Sequence, residues 1–112
     1  MDALVEQKIE SLRRCLQRIS QKTPGNVNAL IEDVDLQDIL VLNLARAVQL
    51  CVDVGSHVIS QTAEPPPATM GEVFTTLARL NILSSVTSES MRKAVGFRNI
   101  AVHNYETINW EI

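Results

Sequence analysis

Arg92-Lys93-Ala94-Val95-Gly96-Phe97-Arg98-Asn99-Ile100-Ala101-Val102-His103-Asn104-Tyr105, near the end of a 112-residue chain, reads as the second half of an amphipathic helix. At about 100° per residue, Met91, Val95, Arg98, Val102 and Tyr105 share one stripe, while Phe97, Ile100, Ala101 and Asn104 turn elsewhere. Arg98 and His103 place a permanent cation and a proton carrier that works near neutral pH about 7–8 Å apart along the axis. The pair suits phosphate chemistry, because imidazole can move a proton while guanidinium holds the phosphate as charge builds on it. On RNA no metal is required, since the 2′-hydroxyl supplies the nucleophile. His103 nevertheless lies about 140° around from Arg98, so one regular helix does not aim both at the same phosphate. Either the helix loosens near His103-Asn104, or two copies of the stretch face each other across a twofold axis.

Arg98-Asn99-x-x-x-His103-x-Tyr105 resembles the signature of the HEPN superfamily, an Arg, a polar residue, a short spacer and a His. Tyr105, two residues on, is similar to the HepT toxin branch. The run from Gln37 to His57 (Gln37-Asp38-Ile39-Leu40-Val41 to Asp53-Val54-Gly55-Ser56-His57) resembles that branch's second helix, and the likeness extends from Met1 to Trp110. The resemblance implies an all-α fold: a HEPN-type up-and-down bundle of four main helices that dimerises through the helix pair carrying the motif, with residues 1–112 as a single domain. The family continues into one more C-terminal helix, and this chain, ending at Ile112, is expected to lack it.

For function, the resemblance implies a metal-independent endoribonuclease toxin of a type VII-like HEPN/MNT toxin–antitoxin pair. Its site would be Arg98, stabilising the phosphorane-like charge, His103, transferring the proton, and Asn99, which donates to a non-bridging oxygen or fixes the imidazole tautomer. No cofactor or metal is expected. The implied partners are a second copy of the chain (a homodimer), the RNA substrate, and an MNT-type nucleotidyltransferase antitoxin that uses ATP to attach AMP to Tyr105. A different class of protein with the same shape is a non-catalytic helical module that binds a nucleotide or a partner's helix; the acidic balance and the absent helix lend it weight.

The remaining residues give each site position a plainer reading. Arg98 can form an ion pair with Glu89, Glu106 or Asp53, His103 can close a helix end, and Tyr105 can be a half-buried aromatic with a wet hydroxyl. A metal site on His57 and His103 lacks a third convergent ligand. The net charge of −3 argues against broad basic nucleic-acid binding, so RNA would be held locally. Aromatics make up only 4% of the residues, so the core must be aliphatic. Cys15 and Cys51 fall in apolar helical patterns and read as reduced, buried thiols. The N-terminus has no basic leader and no apolar run approaches a membrane span, so a cytoplasmic protein is expected, with no membrane partner.

Upstream, Val5, Ile9, Leu12, Leu16 and Ile19 follow a four-three-four-three spacing and predict a helix from about Ala3 to Ser20. Its opposite face carries Lys8, Arg13, Arg14, Arg18 and Lys22, either a solvated face or a secondary RNA or partner contact. Asn28 to Val34 reads as irregular, and Asp33 or Asp35 caps a second long helix to about Ser60. That helix is apolar over a wide arc that must be covered on two sides, in part by a second subunit. Arg46, Gln49, Asp53 and His57 interrupt it on one stripe. They form either a polar ladder, Gln49 to Asp53 to His57, or a cleft lining that faces Arg98 and His103, with Asp53 as a possible general base. Glu64-Pro65-Pro66-Pro67 is a stiff connector, Thr69 and Glu72 supply a capping box for a short helix, and Ser88-Glu89 opens the last one.

Overall fold

The computed structural model describes residues 3–110. It contains α1 (Ala3–Lys22), α2 (Val27–Glu32), α3 (Val34–Ser60), α4 (Met70–Arg79) and α5 (Ser85–His103), followed by a 3₁₀ turn at Tyr105–Thr107, with no strand among the described residues. The four longer helices are those expected. The fifth is a correction, because the segment read as irregular contains α2. Asn26 accepts a hydrogen bond from the Ala29 amide at 2.9 Å, and this cap is enough to start a single short helix.

Caps set the other boundaries. Asp33 Oδ1 accepts from the Leu36 amide at 3.0 Å, which starts α3 at Val34. Thr69 Oγ1 accepts from the Glu72 amide at 3.2 Å, while the Glu72 carboxylate reaches back to the Ala68 amide at 2.9 Å, one residue further than a capping box requires. Asn81 adopts φ 61°; with Ile82 N–H donating to Leu77 O at 2.9 Å and Asn81 N–H to Ala78 O at 3.0 Å, it closes α4 in a Schellman motif. α5 begins earlier than expected. Ser84 Oγ accepts from the Thr87 amide at 3.1 Å, and Ser88 lies buried inside the helix, its hydroxyl donating to the Phe74 carbonyl of α4 at 2.8 Å.

α3 is the central helix. α1 runs antiparallel along one side of it, with Lys8 Nζ 3.0 Å from Asp53 Oδ2 near one end and Arg18 beside Ile39 near the other. α4 and α5 pack on other sides, so much of the wide apolar arc of α3 is covered by helices of the same chain, while Leu42 remains 49% exposed. The main core joins Val48, Val52 and Ile59 of α3 to Val73, Phe74 and Leu77 of α4 and Val95 of α5. Gly55 makes the α3–α4 approach possible: a Cβ there would lie 2.7 Å from Val73 Cγ1 and 3.1 Å from Leu77 Cδ1. The proline connector is clipped to α4 by a two-point ion pair, Arg79 Nη1 and Nη2 donating to Glu64 Oε1 and Oε2 at 2.7 and 2.9 Å. Cys15 and Cys51 are free thiols, and burial pushes the Cys51 pKa up.

The expectation that no apolar run approaches membrane-spanning length does not hold. α3 has 27 residues, and its most apolar window has a mean hydropathy of 1.5, which suffices by length and composition. Continuous apolar character here goes with a helix packed against α1, α4 and α5, with 33% of that window buried.

Candidate active site at the end of the last helix

α5 is longer than the helix beside it. With 10 residues against 19, α4 is too short to run the full length of α5, and in the second half of α5 Ile100 and Val102 are exposed. From Arg92 onward the helix carries Arg92, Lys93 and Arg98 and no acid, a local positive charge in an acidic chain. Arg98 is half-buried. None of its expected acidic partners takes it: Glu89 sits 3.5 Å from Arg92, Asp53 pairs with Lys8, and no ion pair to Glu106 occurs among the described residues. Its hydrogen bond is to the neighbouring Asn99 Oδ1, at 3.4 Å, long for a charged donor.

His103 is the last helical residue and is exposed, and no hydrogen bond to its ring occurs among the described residues. The loosening that would swing it toward Arg98 is not seen. The Asn104 amide still donates to the Ile100 carbonyl at 2.8 Å, so helical geometry persists through His103, and the chain departs only at Asn104 (φ −152°, ψ 54°). Within one chain the two groups therefore keep their divergence of about 140°. A cleft of about 540 Å³ beside α5 is lined by Lys93, Gly96, Phe97, Ile100 and the tail, but by neither Arg98 nor His103.

Tyr105 opens the 3₁₀ turn that folds the tail back onto α3. Its hydroxyl donates to Asp38 Oδ1 at 2.6 Å, bridging 67 positions of sequence, and its ring meets Trp110 edge to face with centroids 6.1 Å apart. Trp110 continues into a small cavity formed with Leu30, Leu40, Val41 and Phe97. Burial, and then the Asp38 carboxylate as acceptor and as negative charge, push the Tyr105 pKa up to about 12. The hydroxyl is thus held, where sequence left it wet. Asp38 went unrecognised because nothing local marks an exposed acid in the second turn of a helix as the partner of a distant tyrosine.

On the polar stripe of α3, Arg46, Gln49 and Asp53 face α1. Gln49 Nε2 donates to Asp53 Oδ1 at 3.0 Å, as the ladder reading expects, but the next partner of Asp53 is Lys8 rather than His57. Arg46 lines the groove between α1 and α3. No hydrogen bond to the His57 ring occurs among the described residues, and no cluster of three or more His, Cys, Asp or Glu able to hold a metal is found among them.

A bundle of helices without a strand among the described residues, closed by a docked tail, has the HEPN helical fold. The chain belongs to the Ribonuclease HepT-like family, whose sequence model matches residues 6–112. It is 36% identical over 112 residues to the mRNA nuclease HepT of Shewanella oneidensis, covering all of this chain and 84% of that protein. The tRNA nuclease HepT of Aphanizomenon flos-aquae is 23% identical over 106 residues, covering 95% and 72% of the two chains. Among solved structures, a tri-AMPylated Shewanella oneidensis HEPN toxin in complex with its MNT antitoxin superposes with a TM-score of 0.90 at 35% identity, covering 99% of this chain and 83% of that one.

Proposed function

We propose that this chain is the toxin of a HEPN/MNT pair, a cytoplasmic, metal-independent endoribonuclease that works as a homodimer. The observation that carries the reading is the occurrence, on one helix end, of a guanidinium and an imidazole that among the described residues have no carboxylate partner and no ring hydrogen bond respectively, in a family whose relatives are named as nucleases of mRNA and tRNA. The divergence of Arg98 and His103 within a regular helix favours a cleft shared by two copies. Arginines brought together across a twofold repel one another unless an anion lies between them, and a phosphodiester is a natural occupant.

In that cleft His103 takes the proton from the ribose 2′-hydroxyl or returns one to the departing 5′-oxygen. Arg98 stabilises the charge on the phosphorane, and Asn99 donates to a non-bridging oxygen. The new P–O2′ bond replaces the P–O5′ bond, leaving a 2′,3′-cyclic phosphate and a 5′-hydroxyl.

Control is assigned to Tyr105, the single tyrosine of the chain. An MNT-type antitoxin would transfer AMP from ATP to its hydroxyl, the new O–Pα bond replacing the phenol proton and pyrophosphate leaving, in line with the AMPylated state of the Shewanella relative. The attached phosphate neutralises nearby cationic charge and fills the cleft with a substrate mimic. It also removes the proton donated to Asp38 and sets a phosphate beside that carboxylate, so the Tyr105–Asp38 hydrogen bond cannot persist in the modified protein.

The test is cleavage of end-labelled RNA by purified protein in EDTA. Wild type is expected to cut and leave cyclic-phosphate ends, and His103→Ala to lose at least about 100-fold in rate. Loss of wild-type cleavage on thorough metal removal would overturn the mechanism. Tight RNA or nucleotide binding without any cleavage would favour the non-catalytic binding module.

A further inference from the structure

The groove between α1 and α3 carries positive charge that no ion pair among the described residues balances. Arg14 and Arg18, one turn apart on α1, and Arg46 on α3 line a groove of about 680 Å³ whose floor includes Ile39, Leu42 and Leu50. Among the described residues none of the three guanidiniums meets a carboxylate; Arg14 Nη2 donates only to Ser11 Oγ, at 3.0 Å. The acids on this side are already engaged, Glu10 by Arg13 and Asp53 by Lys8. Three unpaired cations converging in a chain of net charge −3 mark a place for an anion. All three are arginine, whose planar fork matches phosphate oxygens in pairs.

The groove also leads toward the candidate site. Ile39 and Leu42 lie at one end of it, and Asp38, which precedes the first and lies one turn before the second, holds the Tyr105 hydroxyl. We propose that this arginine groove is a phosphodiester-binding exosite that carries a single RNA strand toward the Arg98–His103 end of the bundle. The inference takes its substrate class from the ribonuclease reading. A second copy of the chain is a poor occupant, since pairing this face with itself would oppose six arginines. No aromatic side chain lines the groove, so binding rests on the backbone phosphates, with ribose and base edges against an aliphatic floor; it tolerates sequence and weakens with salt.

The test measures binding of a labelled single-stranded RNA of mixed sequence to the His103→Ala protein as salt is raised from about 50 to 200 mM. The triple variant Arg14→Gln, Arg18→Gln, Arg46→Gln is expected to bind at least about tenfold more weakly at the low-salt end. Its log–log salt slope should be shallower by about 2, at about 0.7 per lost phosphate contact. Arg13→Gln, which removes the same type of charge outside the groove, leaves the slope unchanged. Circular dichroism verifies the fold; should the triple variant not fold, the three single substitutions are each expected to reduce the slope by about 0.7. An unchanged slope overturns the proposal, as does an unchanged slope accompanied by weakened binding of an acidic protein partner. A reduced slope in a protein that cuts no RNA upholds the groove while the ribonuclease reading fails. An unchanged slope with intact cleavage in EDTA removes the groove alone.

Discussion

The bond between Tyr105 and Asp38 makes a prediction at the scale of a single proton. Because the chain has one tyrosine, its tyrosinate absorbance titrates Tyr105 directly. The folded protein should titrate near the raised value of about 12, against an ordinary 10.0. A raised folded pKa means that the fold prefers the protonated phenol. The stabilisation is therefore complete below pH 10.0 and disappears as pH climbs through about 12. Asp38→Asn removes the negative charge and leaves the burial, so the midpoint should fall part of the way back toward the ordinary value. A midpoint in Asp38→Asn identical to wild type would show that the carboxylate does not hold this hydroxyl. The same bond illustrates what sequence leaves unsaid: Arg98, Asn99, His103 and Tyr105 are legible as a motif, whereas their surroundings are tertiary. Asp38 with Tyr105 and Lys8 with Asp53 join residues 67 and 45 positions apart, beyond the reach of any local periodicity.

Among the elements, agreement is best where the signal is repeated. The four-three spacing of α1 predicts a helix that the structure ends two residues later, at Lys22, and the Thr69–Glu72 pairing opens α4 at the expected place. Single, unrepeated signals mislead. α2 is too short to show a period, and the acid at Ser88-Glu89 competes as a helix start with an equally good cap at Ser84, which the structure uses. The wide apolar arc of α3 implies cover on more than one side, and α1, α4 and α5 supply much of it while Leu42 stays 49% exposed. The α3–α4 contact gives a direct test. A side chain at Gly55 must enter space within 2.7 Å of the stiff Val73, so Gly55→Val should destabilise by about 2 kcal/mol, overpacking outweighing the improved helix propensity. Chemical denaturation would check this; a stability equal to or above wild type would show that the helices can separate at no cost.

For the whole molecule, the proposed dimer draws support from what the single chain leaves uncovered. Val102, on the Arg98 stripe of α5, is 52% exposed, and Ile100, on another face of the same helix, is 44% exposed. Apolar side chains in such a position suit an isologous contact. The double variant Ile100→Glu, Val102→Glu should sediment as a folded monomer and lose RNA cleavage with it, since the site is held to need both copies. A monomer that still cut RNA at the wild-type rate would place the whole site within one chain.

The most direct measurement mixes two inactive proteins. Arg98→Ala and His103→Ala, each expected to be inactive alone, are unfolded together, refolded so that subunits exchange, and assayed on RNA in EDTA. If guanidinium and imidazole act across the twofold, half of the dimers hold one intact pairing, and about a quarter of wild-type activity returns. A mixture that exchanges subunits yet stays as inactive as its parents would contradict the shared cleft.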